Sequence, residues 1–424
     1  MNHLLTIIGI ILSFSLVIFS IRRKYDFGFS LIAGAIVLAL FSLQTIPPYK
    51  ILYGISNAIG YSIDSNEFTT ETIELAIIVT LIFMLAKSMQ TTGAIGELTK
   101  SLRTFFSKGG TIAVIPAIYG LLPIPGGALL SAPMIDEEGK IFALSKNQKN
   151  FLNIWFRHIW FPIYPLSIAM ITLCSPKFSN IPITSLMLAD TPAFIIYGII
   201  GFIVLRLFLK HSKDNLEEKT RYIKGLKFLI IPFLPVILFF FLQNIFSKER
   251  SFLISIFIDI IILFLLLDIP WRRYLKLLYE SLTWKPAVAI IGIMIFREMF
   301  TVSGADAVIS NLLEMISTPS FMLIILVPLV LGFLTGYNLA GITLSYVFIQ
   351  PFFSTAGIGI VGLTSLIFMS AFIGYLISPL HLCNVLSSEY LKTDVTGMYR
   401  FFIPSAFILL FIHIILIIIL SPFF

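Results

Sequence analysis

The chain is 424 residues long, 58% hydrophobic and only 12% charged, with a mean hydropathy of +0.99. Soluble domains carry roughly 25% charged residues, so a soluble globular protein is excluded and most of the chain belongs in lipid. The net charge of +7 does not mark a nucleic-acid binder, because the basic residues line short loops between apolar runs.

The first apolar run, Leu4 to Ser20, is followed rather than preceded by Arg22, Arg23 and Lys24, and no small-residue cleavage site precedes them. It therefore reads as a spanning helix whose N-terminus lies outside, not as a cleaved signal. A spanning helix needs roughly 20 apolar residues. By that measure the runs of the first half are 3–21, 28–46, 70–88, 150–174 and 191–209. The second half repeats the series at 227–246, 251–268, 286–300, 360–386 and 399–420.

At the same place in each series lies a segment rich in Gly, Pro and small polar residues. The first is Gly120-Leu-Leu-Pro-Ile-Pro-Gly-Gly-Ala-Leu-Leu-Ser131 and the second Gly332-Phe-Leu-Thr-Gly-Tyr-Asn-Leu-Ala-Gly-Ile-Thr343; they start 212 residues apart, half the chain. Broken helices at corresponding places in two halves point to a transporter's binding site. Proline removes a helix donor and clashes with the preceding turn, so 111–135 and 320–350 are predicted to be re-entrant hairpins with tips near the bilayer midplane. A kinked full crossing is the alternative; it would put the charged loop 140–149 outside. Before each hairpin, 94–106 and 305–316 show helical apolar spacing (Ile95, Leu98, Leu102, Phe105; Val308, Leu312, Met315), as expected of helices lying in the interface.

Charge in the loops gives an independent test. Alternating loops (22–24, 87–108, 140–149, 206–227, 272–285, 392–400) hold 23 of the 29 Lys and Arg. With cytoplasmic loops favouring Lys and Arg, both termini are outside, the first hairpin enters from the cytoplasm and the second from the exterior. Five crossings per half, an odd number, demand the same inversion. The predicted fold is an all-α membrane protein of two inverted-topology repeats, each with five spanning helices, one re-entrant hairpin and one broken helix. The repeats are 1–209 and 227–424, joined by a cytoplasmic linker 210–226.

The broken helices are 150–174, interrupted at Phe156-Arg-His-Ile-Trp160-Phe-Pro162-Ile-Tyr-Pro165, and 360–386, interrupted at Ser378-Pro-Leu-His381-Leu-Cys383-Asn384. Helix breaks free carbonyls and expose helix N-termini that hold ions or anionic groups. Arg157 either captures a substrate carboxylate, for which a guanidinium suits, or snorkels to headgroups; His158 stands beside it. His381 is a polar ligand or proton carrier, or else a helix-packing hydrogen-bond partner. Around the second tip, Thr335, Tyr337, Asn338 and Thr343 supply donors and acceptors, with Ser378 and Asn384 near the facing break. At the first tip, Gly126 and Gly127 offer backbone N–H groups with Ser131 nearby; amides and neutral side chains suit a small anion. Close helix packing by small residues is the competing account. Asp259 and Glu298 lie inside spanning runs and are the ion-coupling candidates, although Glu298 beside Arg297 is better read as a structural ion pair. His413 in the last helix reads as a packed or interface histidine. Cys174 and Cys383, the two cysteines, are too few for a disulfide or metal framework. Metalloprotease, serine-hydrolase and phosphate-loop signatures are missing, so neither an enzyme nor an ATP-driven pump is expected.

The segments Leu122-Pro-Ile-Pro-Gly-Gly-Ala-Leu-Leu-Ser-Ala-Pro133, Phe156-Arg-His-Ile-Trp160 and Ser378-Pro-Leu-His-Leu-Cys383 with Glu389-Tyr390 resemble those of a family of archaeal and bacterial integral membrane proteins. That family lies within the ion transporter superfamily, which includes carriers of dicarboxylates, citrate and gluconate and some sodium/proton antiporters. The resemblance runs from about residue 28 to the C-terminus. It implies a multi-pass cytoplasmic-membrane protein with a scaffold and a moving transport domain, usually in homodimers, working as an elevator, with both hairpins and both broken helices forming the site. The Ser-Asn-Thr tips of the dicarboxylate branch occur in neither half, so the resemblance does not carry over a dicarboxylate substrate. The expected activity is ion-coupled secondary transport of a small organic anion, with a sodium ion or proton as coupling ion and no other cofactor. The expected partners are that anion and membrane lipids, with no nucleic acid. A sodium or proton antiporter and a membrane-embedded lipid-handling protein are the alternatives.

Overall fold

Local sequence signals start and stop the helices one by one. In the computed structural model, which describes residues 2–44, 46–63, 66–106, 109–122, 127–209, 222–316 and 319–421, the first half opens with α1 (Asn2–Arg22) and α2 (Phe27–Ser42). The Asp26 carboxylate accepts from the backbone N–H groups of Gly28 and Phe29 and starts α2, satisfying donors a helix end leaves open. There follow α3 (Pro48–Ile59), a two-stranded antiparallel ribbon (β1 Tyr61–Ser62, β2 Glu67–Phe68) and α4 (Glu71–Thr91). After the left-handed Gly93 come α5 (Ala94–Phe105), α6 (Gly110–Gly120) and α7 (Ala128–Ile141). A Ser145/Gln148 capping box begins α8 (Lys146–Arg157), and α9 (Ile168–Leu173) and α10 (Ile183–Leu209) complete the half.

The second half starts with a 3-10 segment (Lys224–Ile230) and α11 (Leu234–Leu242), then α12 (Lys248–Leu266), α13 (Trp271–Ser281) and α14 (Lys285–Val302). Left-handed Gly304 precedes α15 (Ala305–Ile316), as Gly93 precedes α5. Next are α16 (Ser320–Thr335), α17 (Asn338–Ile349), α18 (Ile360–Ile377), α19 (Leu382–Leu391) and α20 (Tyr399–Leu420).

The protein is an all-α membrane protein in its main architecture. Among the described residues, six stretches are long and apolar enough to cross a bilayer: Leu4–Arg22, Glu71–Thr91, Ile183–Leu209, Lys224–Leu242, Ile360–Leu391 and Thr396–Leu420. Outward faces of these helices are apolar, with Phe202 on α10 and Phe411 on α20 exposed, as lipid contact requires. The run 150–174 begins within α8, which is polar in sequence yet buried from Lys149 to Arg157, Asn150, Asn153 and Arg157 included. It is wrapped by protein, not lipid. Two amphipathic helices, α3 and α13, occupy what the hydropathy reads as loops.

Packing pairs recur between the halves. α1 packs on α2 and α11 on α12; α2 packs on α14 and α12 on α4; α6 packs on α8 and α16 on α18; α7 packs on α19 and α17 on α9. Close crossings are made by glycine. A Cβ at Gly28 would overlap the Val288 carbonyl, and one at Gly292 would overlap the backbone of Gly28, so α2 and α14 touch main chain to main chain. Gly374 meets the Leu329 carbonyl in the same way, seating α16 on α18. α18 is the buried centre of the bundle: among its side chains, all from Gly362 to Gly374 are buried.

Candidate functional site

Four interrupted helices supply the site. α6 ends at Gly120 and α7 begins at Ala128; α8 ends at Arg157 and α9 begins at Ile168; α16 ends at Thr335 and α17 begins at Asn338; α18 ends at Ile377 and α19 begins at Leu382. The hairpin arms have 11 and 14 residues in the first pair and 16 and 12 in the second. At 1.5 Å per residue these arms reach roughly 16–24 Å, short of the roughly 30 Å hydrocarbon layer. The second break is tight because Gly336 adopts φ 60°, where its missing Cβ also lets Leu380 and His381 approach from the facing break. Gly120 permits the matching approach in the first half, its Cα lying against the Arg157 carbonyl.

The breaks border a cavity of about 210 Å³. Arg157, His158, Tyr337, Asn338, Tyr375, His381 and Cys383 line it with polar groups, and Phe83, Leu122, Trp160, Phe161 and Leu339 are among its apolar walls. Arg157 and Asn338 are each only 4% exposed, and His158 and His381 1%. The His158 ring is fixed from behind: Nδ1 lies 2.8 Å from the Ile154 carbonyl oxygen, a distance at which the ring N–H donates, leaving Nε2 3.3 Å from the Tyr375 hydroxyl. The two imidazoles are edge to face, 4.8 Å between centroids, and Tyr375 lies 3.9 Å from the His381 ring. Neither nitrogen of His381 and neither polar atom of the Asn338 amide makes a hydrogen bond of normal geometry to the described residues. Buried amide and imidazole atoms without partners cost about 1–3 kcal/mol each, which a ligand or water in the cavity offsets.

Among the expected site residues, the geometry brings Arg157, His158, Tyr337, Asn338 and His381 to this cavity. Gly127 acts from beside it: a Cβ there would overlap the Arg157 guanidinium, so the glycine makes room for the charge. Gly126 lies outside the described residues. The other polar candidates do not line the cavity, because their groups are engaged elsewhere. Ser131 donates to Asn153 Oδ1 at 2.6 Å; Thr335 and Thr343 donate to the carbonyls of Leu331 and Leu339 one turn back; Ser378 donates to the Phe333 carbonyl at 2.6 Å. Asn384 spends its amide N–H groups on the carbonyls of Leu376 and Ser378, both at 2.9 Å, and so holds the second helix break open. Glu298 is paired with Arg297 at 2.8 Å. Asp259 is fully buried on α12, with neither carboxylate oxygen hydrogen-bonded among the described residues.

Three further groups escape the sequence reading. Asn153 donates to the Ala128 carbonyl and to Ser387 Oγ while accepting from Ser131, tying α7, α8 and α19 together. Aromatic Phe83 comes from α4, far along the chain. Asp190 on α10 accepts from Ser365 Oγ at 2.5 Å, and the same hydroxyl lies 3.0 Å from His413 Nε2; all three are fully buried. Asp190 is missed because Pro192 suggests a run beginning at 191, whereas the helix begins at Ile183.

His158, His381 and Cys383 offer ligand atoms within 4.8 Å of one another. A closed zinc site, with bonds of about 2.0–2.3 Å, needs ligand atoms roughly 3.3–3.8 Å apart, and the Arg157 guanidinium lines the same cavity. The donor set shares its cavity with a cation already in place.

A multi-pass helical membrane protein with an inward-facing polar cavity at its helix breaks is the class these observations define. The chain belongs to the family described as "Protein of unknown function (DUF401)", whose model matches residues 7–420. No curated protein matches it.

Proposed function

We propose that the protein is an ion-coupled secondary transporter of a small organic anion. The observation that carries the reading is the convergence of four helix breaks on one cavity where Arg157, His158, Asn338 and His381 meet. Irregular backbone at membrane depth is tolerated where it is buried in protein or lines a wet cavity. A buried guanidinium there costs at least about 2.5 kcal/mol on insertion scales, and an anionic solute is its natural complement. Helix packing that recurs when the halves are exchanged supports two repeats of one fold, and the loop charges support their opposite insertion. Alternating access by an elevator motion in a homodimer follows from the family resemblance.

Gradient-driven uptake into proteoliposomes tests the proposal. A sodium or proton gradient is expected to drive accumulation of an organic anion, and Arg157→Ala is expected to lower it at least tenfold. Folded protein that moves no anion from a broad panel under either gradient would end the reading. Asp259 favours a second one, a sodium or proton antiporter, because a fully buried carboxyl without hydrogen-bond partners among the described residues is suited to carrying an exchangeable cation. Unchanged gradient coupling in Asp259→Asn would remove it.

A further inference from the structure

Building on the anion-carrier reading, we infer that the substrate is a monocarboxylate with an apolar body, an aryl or short-chain acid rather than a dicarboxylate or citrate. Arg157 is the one permanently charged side chain among the described residues lining the cavity, and no Asp, Glu or Lys joins it. One guanidinium neutralises one carboxylate. The rest of the wall, Phe83, Trp160, Phe161 and Leu339 with His158, Tyr337, Tyr375 and His381 between them, carries no second permanent positive charge, so a second carboxylate would be desolvated without a cation to offset it.

The polar atoms also sort to suit one head group. The Asn338 amide, 4% exposed and without hydrogen bonds among the described residues, comes from the start of α17, while Arg157 comes from the end of α8. Both line the same cavity, and a guanidinium with an amide N–H can satisfy the two oxygens of a single carboxylate. The cavity, about 210 Å³, is smaller than the roughly 300–1,000 Å³ of drug-sized pockets. That size admits one ring or a short chain.

The test is thermal unfolding of the purified full-length protein with benzoate, hexanoate, succinate, citrate and the neutral isostere benzamide. A ligand bound by the folded state raises apparent stability as its concentration exceeds its dissociation constant. Benzoate and hexanoate are expected to raise the melting temperature in a saturable way, with succinate, citrate and benzamide at least tenfold weaker. The benzoate affinity is expected to fall at least tenfold in Arg157→Gln and, should that variant not fold, in Asn338→Ala. Stabilisation by succinate or citrate equal to that by benzoate overturns the monocarboxylate inference and leaves the anion carrier standing. Equal stabilisation by benzamide, no stabilisation by any anion, or a benzoate effect undiminished in the variants overturns both.

Discussion

Asn153 shows how one side chain decides whether a polar interior holds. Its amide accepts from Ser131 and donates to Ser387 and to the Ala128 carbonyl, so three elements share one residue. Truncation takes the amide donor from the Ser387 hydroxyl and leaves Ser131 only its 3.3 Å bond to the Ala128 carbonyl, at about 1–3 kcal/mol for each buried group left without a partner. Asn153→Ala is expected to lower the melting temperature in detergent clearly, and Asn153→Gln less so; an unchanged melting temperature for the alanine variant would show that water replaces the amide. Sequence reading reaches Arg157 and His158 because charge inside an apolar run is conspicuous. It also names Ser131, Thr335, Thr343, Ser378 and Asn384, whose hydroxyl and amide donors bond to backbone or to a neighbouring side chain and which do not line the cavity, as polar groups in membrane helices can. Nothing in composition separates the two fates. Only the register of neighbouring helices does.

Among elements, the helix breaks are the legible part. Pro162, Pro165, Gly336 and Pro379 fall in the gaps between helices, where the hydrogen-bond ladder is interrupted, whereas Pro116, Pro133 and Pro328 are accommodated inside α6, α7 and α16. Amphipathic α3 and α13 are not legible by the same means, because a hydropathy window averages their apolar and charged faces to the value of a loop. In α13 the signal lies in phase: Tyr274 and Ser281 are buried, while Arg272, Arg273 and Lys276 take the other face. Close helix crossings leave a further mark in glycine. At Gly374 a side chain would meet the Leu329 carbonyl and push α16 from α18. Gly374→Val is therefore expected to cost about 1–3 kcal/mol through overpacking, read as a lowered melting temperature, while Gly96→Ala, whose Cβ would meet nothing within 4 Å, is expected to leave it unchanged. Equal effects would mean that the crossing has slack.

For the whole molecule, the loop charges set an expected orientation in the bilayer. Arg23 belongs to a loop expected in the cytoplasm and Arg250 to one expected outside; both are exposed. In a background with Cys174 and Cys383 replaced by serine, a membrane-impermeant thiol reagent is expected to label Arg250→Cys in intact cells. Arg23→Cys should label only after permeabilisation. The reverse pattern would invert the topology, and labelling of both from one side would refute the alternation of the loops. The expectation of an inverted repeat comes from counting and charge in the sequence, and the labelling tests it, whereas the cavity is not legible there, since its walls come from α4, α6, α8, α9, α17, α18 and α19 and the breaks between them.

Trp160 gives the cavity its own optical reporter. Of the four tryptophans, Trp271 and Trp284 are exposed and Trp155 is stacked on Tyr197, 4.2 Å between centroids, deep in the protein. Trp160 alone among them borders the cavity, its indole stacked on Phe194 at 5.6 Å. Entry of a solute beside that indole changes the polarity it senses, so intrinsic emission can time occupancy of the native chain without any attached dye.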